Sequence, residues 1–166
     1  MLMQVNELAH KDSLTGIYNR SCFKTLLENY LEQQENGALF MMDMDNFKQV
    51  NDRFGHQAGD EVLRKFGQVL LELKENVLSC RIGGDEFCLF YKEASDVKEL
   101  ETLAKKIGSS FQEKMSKEKY AGITTVSIGI ARTMDAAGRN FEKLYSSADK
   151  ALYVAKHRSK NTYYIL

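Results

Sequence analysis

Four carboxylates in this chain sit where strands could bring them together. Asp43 and Asp45 close the apolar run ALFMMDMD, residues 38–45. Asp85 and Glu86 follow Gly83-Gly84 inside a second apolar run, SCRIGGDEFCLF, residues 79–90. On a strand, residues two apart face the same way, so Asp43 and Asp45 could project from one edge. Taken singly, each cluster has a plain alternative. One acid of the first pair could cap the next helical turn, and Gly-Gly between two strand-like runs is an ordinary hairpin signal. Taken together they ask for a cation. If the two strands are neighbours, three or four carboxylates converge, repel and raise one another's pKa. Oxygen donors with no nearby Cys or His favour Mg²⁺ or Mn²⁺, and the chemistry such a site performs is metal-assisted phosphoryl transfer. Strand parity adds a condition: a regular two-residue Gly83-Gly84 turn pairs Ile82 with Asp85 and sends Asp85 and Glu86 to opposite faces.

Residues suited to a nucleotide lie around these acids. Lys48 follows Asp43 by five positions, and the backbone amides of Asn46 and Phe47 open a helical turn, which makes a phosphate cradle. Lys156 and Lys160 stand four apart on the last predicted helix, as two cations on one face or as a solvated basic face. The stretch NDRFGHQAGDE, residues 51–61, offers Asn51, His56 and Asp60 around two glycines, side chains able to read a base edge. His56 alone reads equally as a structural hydrogen-bonding residue.

Periodicity supplies the elements that must position them. Phe23, Leu26, Leu27, Tyr30 and Leu31 mark an amphipathic helix over 20–34 with Asn19 as cap. A buried strand over 38–44, a short helix after it and a longer one over 60–74 follow. The two arms of the hairpin come next. A helix over 96–115 opens on Asp96-x-x-Glu99, a capping-box pattern. A strand over 123–131, a helix over 141–160 and a closing strand at 162–166 complete the order. That order predicts an α+β fold with a mixed, largely antiparallel central sheet and surrounding helices.

Composition bounds the function. The 166 residues suit one domain with a proper core, and 23 basic against 23 acidic side chains give no global field toward nucleic acid or an anionic membrane. Of three cysteines, Cys80 and Cys88 lie in apolar runs and read as small buried hydrophobes, which suggests a reducing cytoplasm. No apolar run approaches the ~18–20 residues of a membrane span. The opening MLMQVNELAH spaces Leu2, Val5 and Leu8 helically, as the stub of a helix entering from an upstream region or as a packed terminal turn.

Together these stretches resemble the GGDEF family of diguanylate cyclases. DSLTGIYNR (12–20), DMDNFKQVNDRFGHQAGDEVL (43–63), RIGGDEF (81–87), VSIGIA (126–131) and ADKALYVAKHRSKN (148–161) occur in the family's order across nearly the whole chain. The resemblance implies a fold like nucleotidyl-cyclase and polymerase palm domains over 12–166, with 1–11 a helical stub or linker. It implies condensation of two GTP into cyclic di-GMP by a homodimer, with release of two pyrophosphates. By motif, Asp43, Asp85 and the main-chain carbonyl of Met44 would bind Mg²⁺, with Glu86 completing the acidic pair. Asp85 would also accept the 3′-hydroxyl proton. Asn51 and Asp60 would read guanine with His56 nearby, and Lys48, Lys156 and Lys160 would hold phosphates and stabilise transition-state charge.

The chain departs from the family pattern in places. Ser159-Lys160 stands where the family has Gly-Arg, keeping the charge but losing the bidentate fork. Lys74 and Val77 stand where many members carry the Arg and Asp of a product-inhibition motif, and an upstream sensory domain, usual in the family, would lie outside these residues. A non-catalytic module binding GTP or cyclic di-GMP, a cyclase of different base choice and a structural dimerisation domain are the competing readings. The intact acids argue against the first. Asp60 argues against the second, since a carboxylate accepts from guanine N1–H and N2–H₂, donors adenine lacks.

Overall fold

The run ending in Asp43 and Asp45 becomes the central strand because helices cover both of its faces. The computed structural model describes residues 9–73, 76–94, 96–135 and 140–166. Strand β2 (Gly37–Asp45) is flanked by β4 (Glu86–Lys92) and β5 (Thr125–Arg132), both antiparallel to it. The hairpin partner β3 (Val77–Gly83) lies outside β4, and two short strands finish the edges. These are β1 (Tyr18–Asn19), parallel to β3, and β6 (Tyr163–Ile165), parallel to β5. The sheet order is β1-β3-β4-β2-β5-β6, mixed and mainly antiparallel as the sequence predicts. Strand β1 is the one the sequence reading leaves out, since two residues carry no periodicity.

Alternation along β2 sorts its side chains. Ala38, Phe40, Met42 and Met44 face a core closed by α3 (His56–Leu71) and α4 (Val97–Met115), through residues such as Val62, Phe66, Ile107 and Phe111. Leu39 and Met41 face the other core, closed by α1 (Arg20–Glu32) and α5 (Phe141–Arg158), through Phe23, Leu27, Phe141 and Leu152. Asp43 and Asp45 continue the second series, so both carboxylates fall on the α1/α5 face. Cys80 and Cys88 are buried, free thiols, directly paired across β3 and β4 on that same face.

Helix starts follow their caps. Asn19 Oδ1 accepts the Cys22 amide at 2.9 Å, Asp96 accepts that of Lys98 at 3.0 Å, and Asn140 accepts that of Lys143 at 2.9 Å. The fit of α5 on the sheet depends on Gly129: a β-carbon there would lie 2.1 Å from the Leu152 amide nitrogen and 2.4 Å from the Ala148 carbonyl oxygen. Backbone meets backbone, and helix α5 is held close to β5. None of the described helices is long and apolar enough to cross a membrane.

Candidate active site at the hairpin tip

The hairpin turn differs from the regular one by one residue. Gly83 pairs with Glu86, so the two loop residues are Gly84 and Asp85, and Ile82 is an extra residue bulged out of the ladder between Arg81 and Gly83. Gly84 takes the positive φ of 54° that the turn requires. The bulge resolves the parity condition. Glu86 is a strand residue directly opposite Asp43, on the α1/α5 face. Asp85 stands in the loop, free of alternation, with its carbonyl oxygen accepting the Met44 amide at 3.3 Å.

The tip is also held from behind. Arg81 donates through Nε to the Gly84 carbonyl at 2.9 Å and pairs through Nη1 with Asp12 at 3.2 Å. Asp12 is itself fixed by the Thr15 amide and hydroxyl, at 2.9 and 2.7 Å, and Thr15 packs where Gly67 leaves room on α3. The opening stretch DSLTG thus braces the turn. Sequence reasoning quoted Arg81 and Asp12 inside motifs but assigned them no role, because 69 residues separate the two partners and no local pattern joins them.

The acids do not act as one cluster. Asp45 is wholly buried and saturated by Thr125 Oγ1 (2.6 Å), Ser127 Oγ (2.8 Å) and the Asn161 amide (2.9 Å). It faces the same way as Asp43, as expected, but does not project into the site. Among the described residues no three His, Cys, Asp or Glu side chains are grouped as metal ligands. What remains is Asp43, Asp85 and Glu86. Burial, then hydrogen bonding to and repulsion by Asp43, push the Asp85 carboxyl up from 3.8 to about 6. Burial, then the charges of Asp43 and Asp149, raise Glu86. Asp43 Oδ1 is buried with no hydrogen-bond partner, while its Oδ2 holds Lys156 Nζ at 2.6 Å. A buried, unpaired carboxylate oxygen beside a second carboxyl that resists ionising is chemistry that a hard divalent cation would relieve, and the oxygen donors present fit Mg²⁺.

The lysines and the polar residues singled out by the sequence lie on α5, the turn after it and the two helices that follow β2. Lys156 is on α5, but the helix ends at Arg158, so Lys160 is not on its face. It lies in a turn where Lys160 and Asn161 are both left-handed, with φ of 54° and 47°. That turn aims Lys160 Nζ at Asn46 Oδ1, 3.2 Å away. Asn46 is left-handed as well, at φ 57°, and begins α2 (Phe47–Phe54). Its side chain bonds Ile123 and Lys160 rather than capping α2, and the first-turn amides of Phe47 and Lys48 precede the helix's own ladder. Lys48 is exposed beside them, and Phe47 packs partly into the core.

Asn51 sits in α2 against Gly59 of α3, where a β-carbon would lie 1.9 Å from Asn51 Oδ1. His56 and Asp60 are exposed on the first turns of α3. Lys74 lies outside the described residues, as does nearly all of MLMQVNELAH; Val77 begins β3.

Comparison with known proteins agrees with this geometry. The family described as "Diguanylate cyclase, GGDEF domain" matches residues 9–162. The signalling protein YkoW of Bacillus subtilis is 33% identical over 96% of this chain and 21% of its own length. The diguanylate cyclase DgcS of Shewanella oneidensis is 33% identical over 97% of this chain and 55% of its own length. The chain therefore spans from about a fifth to about half of these relatives. The coiled coil and GGDEF domain of DgcB from Caulobacter crescentus, solved with c-di-GMP, superposes with a TM-score of 0.89 at 28% identity, covering 99% of this chain and 90% of that one. With a family match over residues 9–162 and relatives 33% identical over nearly its whole length, this chain belongs to the GGDEF family of diguanylate cyclase domains.

Proposed function

We propose that the chain is a Mg²⁺-dependent diguanylate cyclase, joining two GTP into cyclic di-GMP with release of two pyrophosphates as a homodimer in the cytoplasm. The observation that carries the reading is the buried Asp43 Oδ1, which has no hydrogen-bond partner, on a carboxylate near enough to Asp85 to raise its pKa. Asp43, Asp85 and the Met44 main-chain carbonyl would hold Mg²⁺ or Mn²⁺, with Glu86 beside them. When bound, the ion supplies neutralisation of phosphate charge during in-line attack at the α-phosphorus.

The residues of the chain do the positioning. Lys156 and Lys160 converge from α5 and the turn after it, and Lys48 and the free amides of α2 add donors for a triphosphate. Asn51 and Asp60 present an amide and a carboxylate to the polar edge of guanine, with His56 alongside. Asp85 would also take the 3′-hydroxyl proton as general base. Since one chain carries a single such set, two chains must face each other, each presenting one GTP.

The test is purified protein with Mg²⁺ and each nucleoside triphosphate in turn, products resolved by chromatography. Cyclic di-GMP from GTP alone is expected. Nucleotide binding without product would favour the non-catalytic module, and product from ATP would overturn the guanine assignment of Asp60.

A further inference from the structure

The sequence singles out Asp45 with Asp43, yet no step of the proposed reaction uses it. Its carboxylate is 0% exposed and collects donors from separate parts of the chain. Thr125 and Ser127 come from β5, and the Asn161 amide comes from the turn after α5. Lys156 Nζ stands 3.9 Å away, leaning toward Asp43. The Asn161 bond is the unusual one. Two consecutive non-glycine residues, Lys160 and Asn161, are left-handed there; asparagine tolerates that conformation, but a lysine persists in it only when something holds it.

We infer that Asp45 is a positioning residue, a latch whose bond to the Asn161 amide holds the 159–161 turn in its left-handed form and so delivers Lys160 to Asn46 at the start of α2. The grip acts on the phosphates of the nucleotide, and in that respect the inference rests on the proposed cyclase reading. Ser159 Oγ closes locally on the Lys160 carbonyl at 3.2 Å, and beyond the turn the Thr162 carbonyl accepts the Ile128 amide at 2.9 Å. Lys160 thus lies between two anchored points, its own amide donating to the Ala155 carbonyl at the helix end at 3.3 Å. Release of the Asn161 anchor lets the turn relax toward ordinary φ, which swings the Lys160 side chain off the phosphate path without touching the base-reading residues.

The experiment compares Asp45→Ala, Lys160→Met and the double variant, each binding a non-hydrolysable GTP analogue or GMP in the presence of Mg²⁺, by calorimetry. Asp45→Ala should weaken the GTP analogue roughly tenfold, leave GMP within about twofold, and add nothing further in the Lys160→Met background. Losses that multiply in the double variant, or an equal loss of GMP, would overturn the latch by showing a general structural effect. Hydrogen exchange of the wild-type chain keeps the idea testable if Asp45→Ala does not fold. The Asn161 amide should exchange slowly although it lies in a turn, and exchange at the rate of an open loop refutes the latch. Failure of the wild type to bind the GTP analogue would end the cyclase reading instead, and exchange at Asn161 would still judge the latch by itself.

Discussion

A carboxyl that ionises reluctantly carries its own pH signature. Asp85 titrates near 6 in the metal-free fold against 3.8 in an ordinary setting, so between those values the folded chain binds more protons than the unfolded one. Stability from this group therefore falls as pH rises through the window, and the penalty is fully present above it. Asp85→Asn should raise the melting temperature of metal-free protein at pH 7.5 and lose most of that gain near pH 4. Mg²⁺ should raise the wild-type melting temperature at pH 7.5 but not that of the variant, and turnover in the variant should fall by about 10²–10³-fold or more. Unchanged melting at both pH values would place the strain elsewhere. The acids of this site were legible in the sequence because Asp43 and Asp85 interrupt apolar runs. What was not legible was the difference between Asp43 and Asp45. Both sit on one face, and only the tertiary donors Thr125, Ser127 and Asn161 make one structural and leave the other with an empty oxygen.

At the scale of elements, two glycines set what the helices can carry. Gly59→Ala gives α3 a better helix former, worth about 1 kcal/mol, but its β-carbon displaces the Asn51 side chain. The variant should melt close to wild type while its KM for GTP rises and its preference over ATP narrows; a wild-type KM would remove Asn51 from guanine reading. Gly129→Ala meets backbone rather than a side chain, so nothing can rotate away, and denaturant unfolding should show a loss of about 3 kcal/mol. Helices and long strands were predictable from their 3.6- and 2-residue periods. The bulge at Ile82 was not, because Ile82 continues the apolar run and nothing local tells a paired isoleucine from an extra one. The end of α5 falls two residues before the predicted one for a related reason: HRSK suits a last helical turn, but Ser159 leaves helical geometry and Lys160 and Asn161 turn left-handed, Asn161 bonding Asp45.

For the whole molecule, the expected dependence is on a second copy. Specific activity should rise with protein concentration by mass action, and a parallel coiled coil fused ahead of Asp12 should raise the rate at low concentration through effective concentration alone. A rate per chain that stays flat from nanomolar to high micromolar, with only monomer in the ultracentrifuge, would exclude the two-domain mechanism. The sheet also limits how two copies can meet. Among the described residues its outermost strands are β1, with two residues, and β6, with three, so they offer little backbone for another sheet to continue, although β3 extends past β1 on the same edge. On the proposed reaction, contact would fall to the faces around the hairpin tips and to the triphosphates the lysines would hold there. The proposed reaction would consume those triphosphates, and as pyrophosphate departed so would the charge that Lys48, Lys156 and Lys160 are proposed to grip. Each turnover would then dissolve part of the joint that made it possible, so the population of assembled pairs should rise with substrate and fall as product accumulates, and the complex would act as a gauge of its own fuel.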